Sequence, residues 1–74
     1  MIRTGTIKTL VPEQGIGFIE RTGQVRDCFF HYSVLTGIAF DKLERDDLVD
    51  FDVVDSPRGP RAVSVRWIKH SLSA

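Results

Sequence analysis

Residues 48–54 read LVDFDVV, a strict alternation that puts Val49, Phe51 and Val53 on one side of an extended chain and Asp50 and Asp52 on the other. A period of two commits a segment to a sheet with one face buried. The same period recurs over Arg3–Leu10, Gly15–Glu20, Asp27–Tyr32 and Arg61–Ile68, and no segment carries a sustained 3.6-residue apolar repeat. With 74 residues there is room for one small core and one domain, residues 1–74, in which 67–74 is expected to form a C-terminal extension. The fold class that follows is all-β.

Punctuation sets the connections. Pro12 ends the first strand by removing a ladder donor, Gly23 within RTGQVR marks a turn, and DSPRGP supplies turn chemistry before the last strand. Between Ser33 and Asp47 the alternation lapses into a long loop, expected to open with a helical turn at Ser33–Leu35 and to be anchored by Phe40 and Leu43. The terminal KHSLSA reads as a frayed end. Five short strands with one long excursion fit a small antiparallel barrel, since closure removes exposed edges. An OB-type barrel is the natural candidate, although periodicity alone does not separate it from an SH3-like one.

Several function classes fall away on composition. Hydrophobic residues make up 42% and charged residues 27%, ordinary for a globular fold, and no apolar run nears the roughly 20 residues of a membrane span. The opening MIRTGTIKTL lacks the apolar core of a signal peptide, so a cytoplasmic protein with no membrane partner is expected. Cys28 is the single cysteine and reads as an inert buried thiol. With His31 and His70 the only histidines, no metal site, cofactor or catalytic residue is expected, and the chain reads as a non-enzyme. Ten basic residues balance ten acidic ones. Any nucleic-acid binding must therefore rest on something other than overall charge.

GIGFIE (15–20) and CFFHYS (28–33) are apolar on both sides of the alternation. Cys28, Phe30 and Tyr32 oppose Phe29 and His31, while Gly17 and Ile19 oppose Ile16, Phe18 and Glu20. A domain this small cannot bury both faces of a strand. If the two strands pair antiparallel, Phe18, Phe29 and His31 lie side by side toward solvent, a stacking surface for unpaired bases. Gly15 and Gly17 are expected to serve barrel curvature. His31 has no nucleophile partner by motif, which leaves stacking or a structural hydrogen bond.

The segments GTIK, EQGIGFIE, RDCFFHYSVL and PRGPRAVSV, in this order from about Thr4 to Arg66, resemble the cold-shock domain family with its KGFGFI and VFVHF segments. That resemblance implies a five-stranded OB-type barrel that binds single-stranded RNA and DNA, often as a nucleic-acid chaperone. It assigns contacts to Lys8, Phe18, Phe29, His31, Tyr32, Phe40 and Arg58, with Ile16 offering apolar contact where the family has a ring. The chain departs from the pattern at Thr9, where tryptophan is usual, and at Leu10, Gln14 and Ile16. Losing two stacking platforms costs on the order of 2 to 6 kcal/mol of affinity, toward the lower end with Ile16 in place. The implied protein is a monomeric, weak, low-specificity RNA chaperone or regulator favouring pyrimidine-rich strands, with shallow salt dependence.

The alternative is an interaction or homodimerisation module in which Thr9, Leu10 and Ile16 form an apolar patch. Among the remaining residues, Trp67 reads as packed or partly exposed, and Arg61 as an even candidate for phosphate contact. Lys42, Arg45, Asp46 and Asp47 are expected on the loop surface. His70 carries no signal.

Overall fold

In the computed structural model, which describes residues 3–21, 23 and 26–70, the alternating segments are strands: β1 (Arg3–Val11), β2 (Ile16–Glu20), β3 (Cys28–His31), the two-residue β4 (Leu35–Thr36), β5 (Leu48–Ser56) and β6 (Gly59–Lys69). They form one sheet in the order β3-β2-β1-β5-β6-β4, and a further β3–β6 pairing closes it into a barrel. The five long strands are those expected, and β4 is a short addition from within the long loop. Neighbouring pairs among β1, β2, β3, β5 and β6 are antiparallel except at the closure, where Phe29 pairs with Arg61 in parallel. Half of the expected turn at RTGQVR, residues 22, 24 and 25, lies outside the described residues, as do 71–74 of the terminal segment.

Alternation decides the interior. Ile7, Ile19, Cys28, Phe30, Val49, Phe51, Ala62 and Val65 point inward and are buried, joined by Leu43 from the loop. Each fully buried large apolar side chain contributes roughly 1.5–3 kcal/mol, enough to make this set the main stabilising term. Burial pushes the Cys28 thiol above its ordinary value, against the opposing pull of the nearby Arg21 cation. A thiol held protonated inside a core is inert.

The two motif glycines do something more specific than bend the barrel. A Cβ on Gly17 would stand 2.6 Å from Phe30 Cε1 and 3.1 Å from Leu10 Cδ2, so the bare backbone there is what admits the Phe30 ring to the core. At Gly15, whose φ is +68°, a Cβ would meet the Tyr32 ring at 2.5 Å. Both positions make room for an aromatic ring on the neighbouring segment.

The long excursion is more ordered than its sequence suggests. It opens with a 3-10 turn at Tyr32–Val34, one residue ahead of the expected turn, and holds a second at Phe40–Lys42. Phe40 and Leu43 do anchor it against the core. Its end clips back onto β1, where Ile7 N–H donates to the Asp47 carbonyl (3.0 Å) and Asp46 N–H donates to the Ile7 carbonyl (2.7 Å).

Asp47, expected on the surface, has no solvent exposure at all. Its Oδ2 accepts hydrogen bonds from Glu44 N–H (2.9 Å) and Trp67 Nε1–H (3.2 Å), and both carboxylate oxygens lie 3.0 Å from His70 Nδ1. A buried carboxylate survives only when its lone pairs are taken up, and here three donors do so, one from its own loop and two from the distant C-terminal segment. For Lys69 and His70 the arrangement also corrects the reading of the C-terminal segment as frayed: Lys69 of β6 pairs with Leu48 of β5, and His70 packs edge-on against Trp67 at 5.1 Å. The hydrogen bond to Asp47 raises the His70 pKa above its ordinary 6.5, with Asp47 and Glu44 charge adding to the shift and desolvation opposing it.

Candidate functional site

Parity and register build the outer surface of the barrel on its β1–β2–β3 side. Phe18 lies opposite Phe29 and Ile16 opposite His31 on the β2–β3 ladder, while Thr9 lies opposite Phe18 and Val11 opposite Ile16 on the β1–β2 ladder. Two rows cross the strands. One reads Thr9, Phe18, Phe29 and then Arg61 of β6; the other reads Val11, Ile16 and His31. Because Ile7, Ile19, Cys28 and Phe30 take the inner positions, these side chains are turned outward: Val11, Ile16, Phe18 and Phe29 are half-buried against one another, and Thr9, His31 and Arg61 are exposed. The Phe18 and Phe29 rings meet edge to face at 5.9 Å, leaving an apolar floor open to solvent.

Lys8 reaches the surface through an irregularity. The β1–β2 register shifts between Ile7 and Thr9, so Lys8 is an extra residue that the ladder does not pair. The bulge lets Lys8 and Thr9 both face water. The Lys8 ammonium lies 3.5 Å from Asp27, across β2, and its carbonyl accepts from Arg45 Nε (3.2 Å). Half-exposed as it is, that ion pair is worth little and leaves the lysine available.

A second aromatic group follows where β3 stops. Strict alternation assigns Tyr32 to the core with Phe30, but the strand ends at His31 and Tyr32 begins the 3-10 turn, which leaves it 54% exposed. His31 caps that turn: its Nδ1 accepts from Ser33 N–H (3.2 Å) and contacts Ser33 Oγ at 2.9 Å. Tyr32 N–H donates to the Gly15 carbonyl (2.9 Å), and its ring lies over the bare Gly15 backbone. The result is a row of His31, Tyr32 and Phe40, with ring centroids 4.5 Å and 6.2 Å apart.

Beyond Phe18 and Phe29 the surface becomes concave. The Ser56–Arg61 turn forms the far wall of a hollow of about 560 Å³ with the two rings as its floor, and Arg58 and Arg61 at its rim. The fold thus brings together Ile16, Phe18, Phe29 and His31, sets Tyr32 and Phe40 alongside, and places Arg58 across the hollow. Lys8 stands at the opposite, β1 edge. Leu10, by contrast, pairs with Gly17 and packs against the core, so it does not belong to an exposed patch. Trp67 is likewise packed and hydrogen-bonded, on β6 opposite Val49.

Sequence reasoning did not single out Val11 or Asp27, both of which the structure puts on this face. The alternation of β1 carries a signal for Val11, but the bulge at Lys8 shifts the phase of everything after it. Asp27 lies one residue before β3 and has the parity of Phe29, a cue legible only once the strand is placed.

The sequence compares with known proteins in the same sense. A family model described as the 'Cold-shock' DNA-binding domain matches residues 3–68. The probable cold shock protein A of Mycolicibacterium smegmatis is 42% identical over 64 residues, covering 86% of this chain and 96% of the relative. The cold shock-like protein CspD of Bacillus cereus is also 42% identical, and the cold shock protein CspA of Staphylococcus aureus (strain USA300) is 39% identical, each over the same shares of both chains. Among solved structures, Drosophila Unr CSD456 superposes with a TM-score of 0.76 at 20% identity; the match takes in all of this chain and 29% of that one, and speaks to the fold alone. A barrel of this topology, two aromatic strands in this register and relatives matched along nearly their whole length give one answer: the chain belongs to the cold-shock domain family.

Proposed function

We propose that this protein binds single-stranded RNA or DNA without catalysis, stacking unpaired bases on Phe18, Phe29 and His31. Tyr32 and Phe40 extend the platform, Ile16 adds apolar contact, and Lys8 and Arg58 engage the backbone. The observation that supports this most is the pair of cross-strand rows that turn Phe18, Phe29 and His31 to the same solvent face. Phenylalanine rings left half-open to solvent beside an exposed imidazole make an apolar platform that a flat base can cover. Stacking tolerates every base, so sequence preference is slight and leans to pyrimidine-rich strands. A protein that binds only the open strand shifts weak hairpins toward opening by mass action, which is chaperone behaviour. It acts as a monomer. The interaction-module reading loses ground because Leu10, one third of its apolar patch, is packed inward.

Titration of an oligothymidine into isotope-labelled protein tests this directly. Amide shifts should concentrate on β2, β3 and the Tyr32–Val34 turn. Phe29→Ala removes one platform and should weaken binding by about 5- to 150-fold, the equivalent of roughly 1–3 kcal/mol per stacked base. Shifts scattered over the β5–β6 face, or a Phe29→Ala protein that folds and binds unchanged, would refute the assignment.

A further inference from the structure

A chain with no net charge can still distribute its charge unevenly, and this one does. Past the Ser56–Gly59 turn a second hollow, of about 680 Å³, is lined by Arg3, Arg21 and Arg26, with Asp55 the one acidic side chain on its wall. It shares Ser56, Gly59 and Pro60 with the hollow floored by Phe18 and Phe29, so the two concavities adjoin across a single turn. Arg58 and Arg61 belong to the first, and five of the chain's ten basic residues thereby line one continuous surface.

The arginines of the second hollow are poorly occupied by the protein itself. Among the described residues, none of the three has a carboxylate within ion-pair distance. Arg21 Nη2 donates to the Arg26 carbonyl at 3.3 Å, while Arg21 Nε is buried with no acceptor. An N–H of a cation withdrawn from water without a partner is costly, and nothing at Nε holds the guanidinium in its present orientation. Turning it toward the hollow sacrifices no bond at that atom. Guanidinium groups match oxyanions that present two oxygens side by side, and a phosphodiester is such a group.

We propose that Arg3, Arg21 and Arg26 form a phosphate-binding extension of the aromatic face, which takes the backbone of the same single strand as it passes over Gly59 and Pro60. This rests on the proposed function and adds to it a second segment of track. Electrostatic contact here offsets the platforms lost at Thr9 and Ile16, and makes salt dependence a property of strand length: shallow for a strand confined to the rings, steeper for one that reaches the arginines.

The test uses two oligothymidines, about 4 and about 12 nucleotides long, within the range that one OB barrel covers. Affinities are measured as a function of salt for the wild-type chain, for the double variant Arg21→Gln with Arg26→Gln, and for Arg3→Gln, whose exposed site spares the fold. The longer strand should bind the wild type with a steeper salt slope, and each lost phosphate contact should reduce that slope by about 0.7. The shorter strand should be indifferent to all three substitutions. Equal effects on both lengths, or no effect on either while Phe29→Ala still weakens binding, would overturn the extension and leave the aromatic site standing. Failure of both strands to bind wild-type protein would remove both. The Arg21 Nε–H resonance provides a direct readout: a shift with inorganic phosphate but none with the longer strand would mean an anion site that the strand does not use, and would also overturn the proposal.

Discussion

Asp47 offers the sharpest test of how the loop and the last strand are held together. Asp47→Ala removes the acceptor for Glu44 N–H and Trp67 Nε1–H and deprives His70 of its partner, three donors released at once. An unsatisfied buried donor costs about 1–3 kcal/mol; with Trp67 half-buried and Glu44 at the surface, the two N–H groups together come to about 3 kcal/mol. A domain of this size is stable by only about 4–11 kcal/mol, and each kcal/mol moves its melting point by about 4–8 °C. The expected loss is therefore about 12–24 °C.

Asp47→Asn separates charge from hydrogen bonding. Its carbonyl oxygen can keep the Glu44 and Trp67 donors while its amide donates to a neutral His70, so at high pH it should melt close to the wild type. The two chains should part company as pH falls. Because the folded state raises the His70 pKa, it binds a proton more tightly than the unfolded chain; this contribution to stability is complete below the ordinary 6.5 and is lost as pH rises through the higher folded value. Melting curves followed by circular dichroism at about pH 5.5 and about pH 8.5 bracket the imidazole range. The wild type should gain stability at the lower pH relative to Asp47→Asn. A loss below about 1 kcal/mol for Asp47→Ala, or an identical pH response in both chains, would refute the role given to this carboxylate.

Two substitutions test the glycines. Gly17→Ala places a methyl 2.6 Å from the Phe30 ring in a filled core, and should cost about 1–3 kcal/mol by chemical denaturation, with Phe30→Leu in the same chain recovering part of it. Gly15→Ala meets a positive φ and the Tyr32 ring together; about 1–2 kcal/mol of stability should go, and oligonucleotide affinity should fall beyond what the change in folded fraction explains, since the ring must leave its seat beside His31.

The sequence made much of this readable because alternation is a local property. Val49, Phe51, Phe30 and Ile19 reveal the inner face from spacing alone, and the same count turns Phe18, Phe29 and His31 outward. What alternation alone does not reveal depends on pairing and on where strands break. Asp47 looks like any loop acid until Trp67 and His70, 20 and 23 residues away in the chain, are folded against it. Lys8 and Thr9 share the solvent side because a bulge breaks the count, and Tyr32 is exposed because β3 stops one residue earlier than its alternation suggests. Arg3, Arg21 and Arg26 are scattered through the sequence and meet only when the barrel closes around the Ser56–Gly59 turn.

That closure has a mechanical side. β3 meets β6 through a single register pair, Phe29 with Arg61, while β5 and β6 share a long antiparallel ladder. The barrel is thus a sheet rolled up and fastened at one stitch, and the stitch lies directly beneath the rings. A strand of nucleic acid resting on Phe29 and Arg61 at once would bind two edges that the backbone joins at only that point, acting as a splint across the place where the cylinder would otherwise unroll.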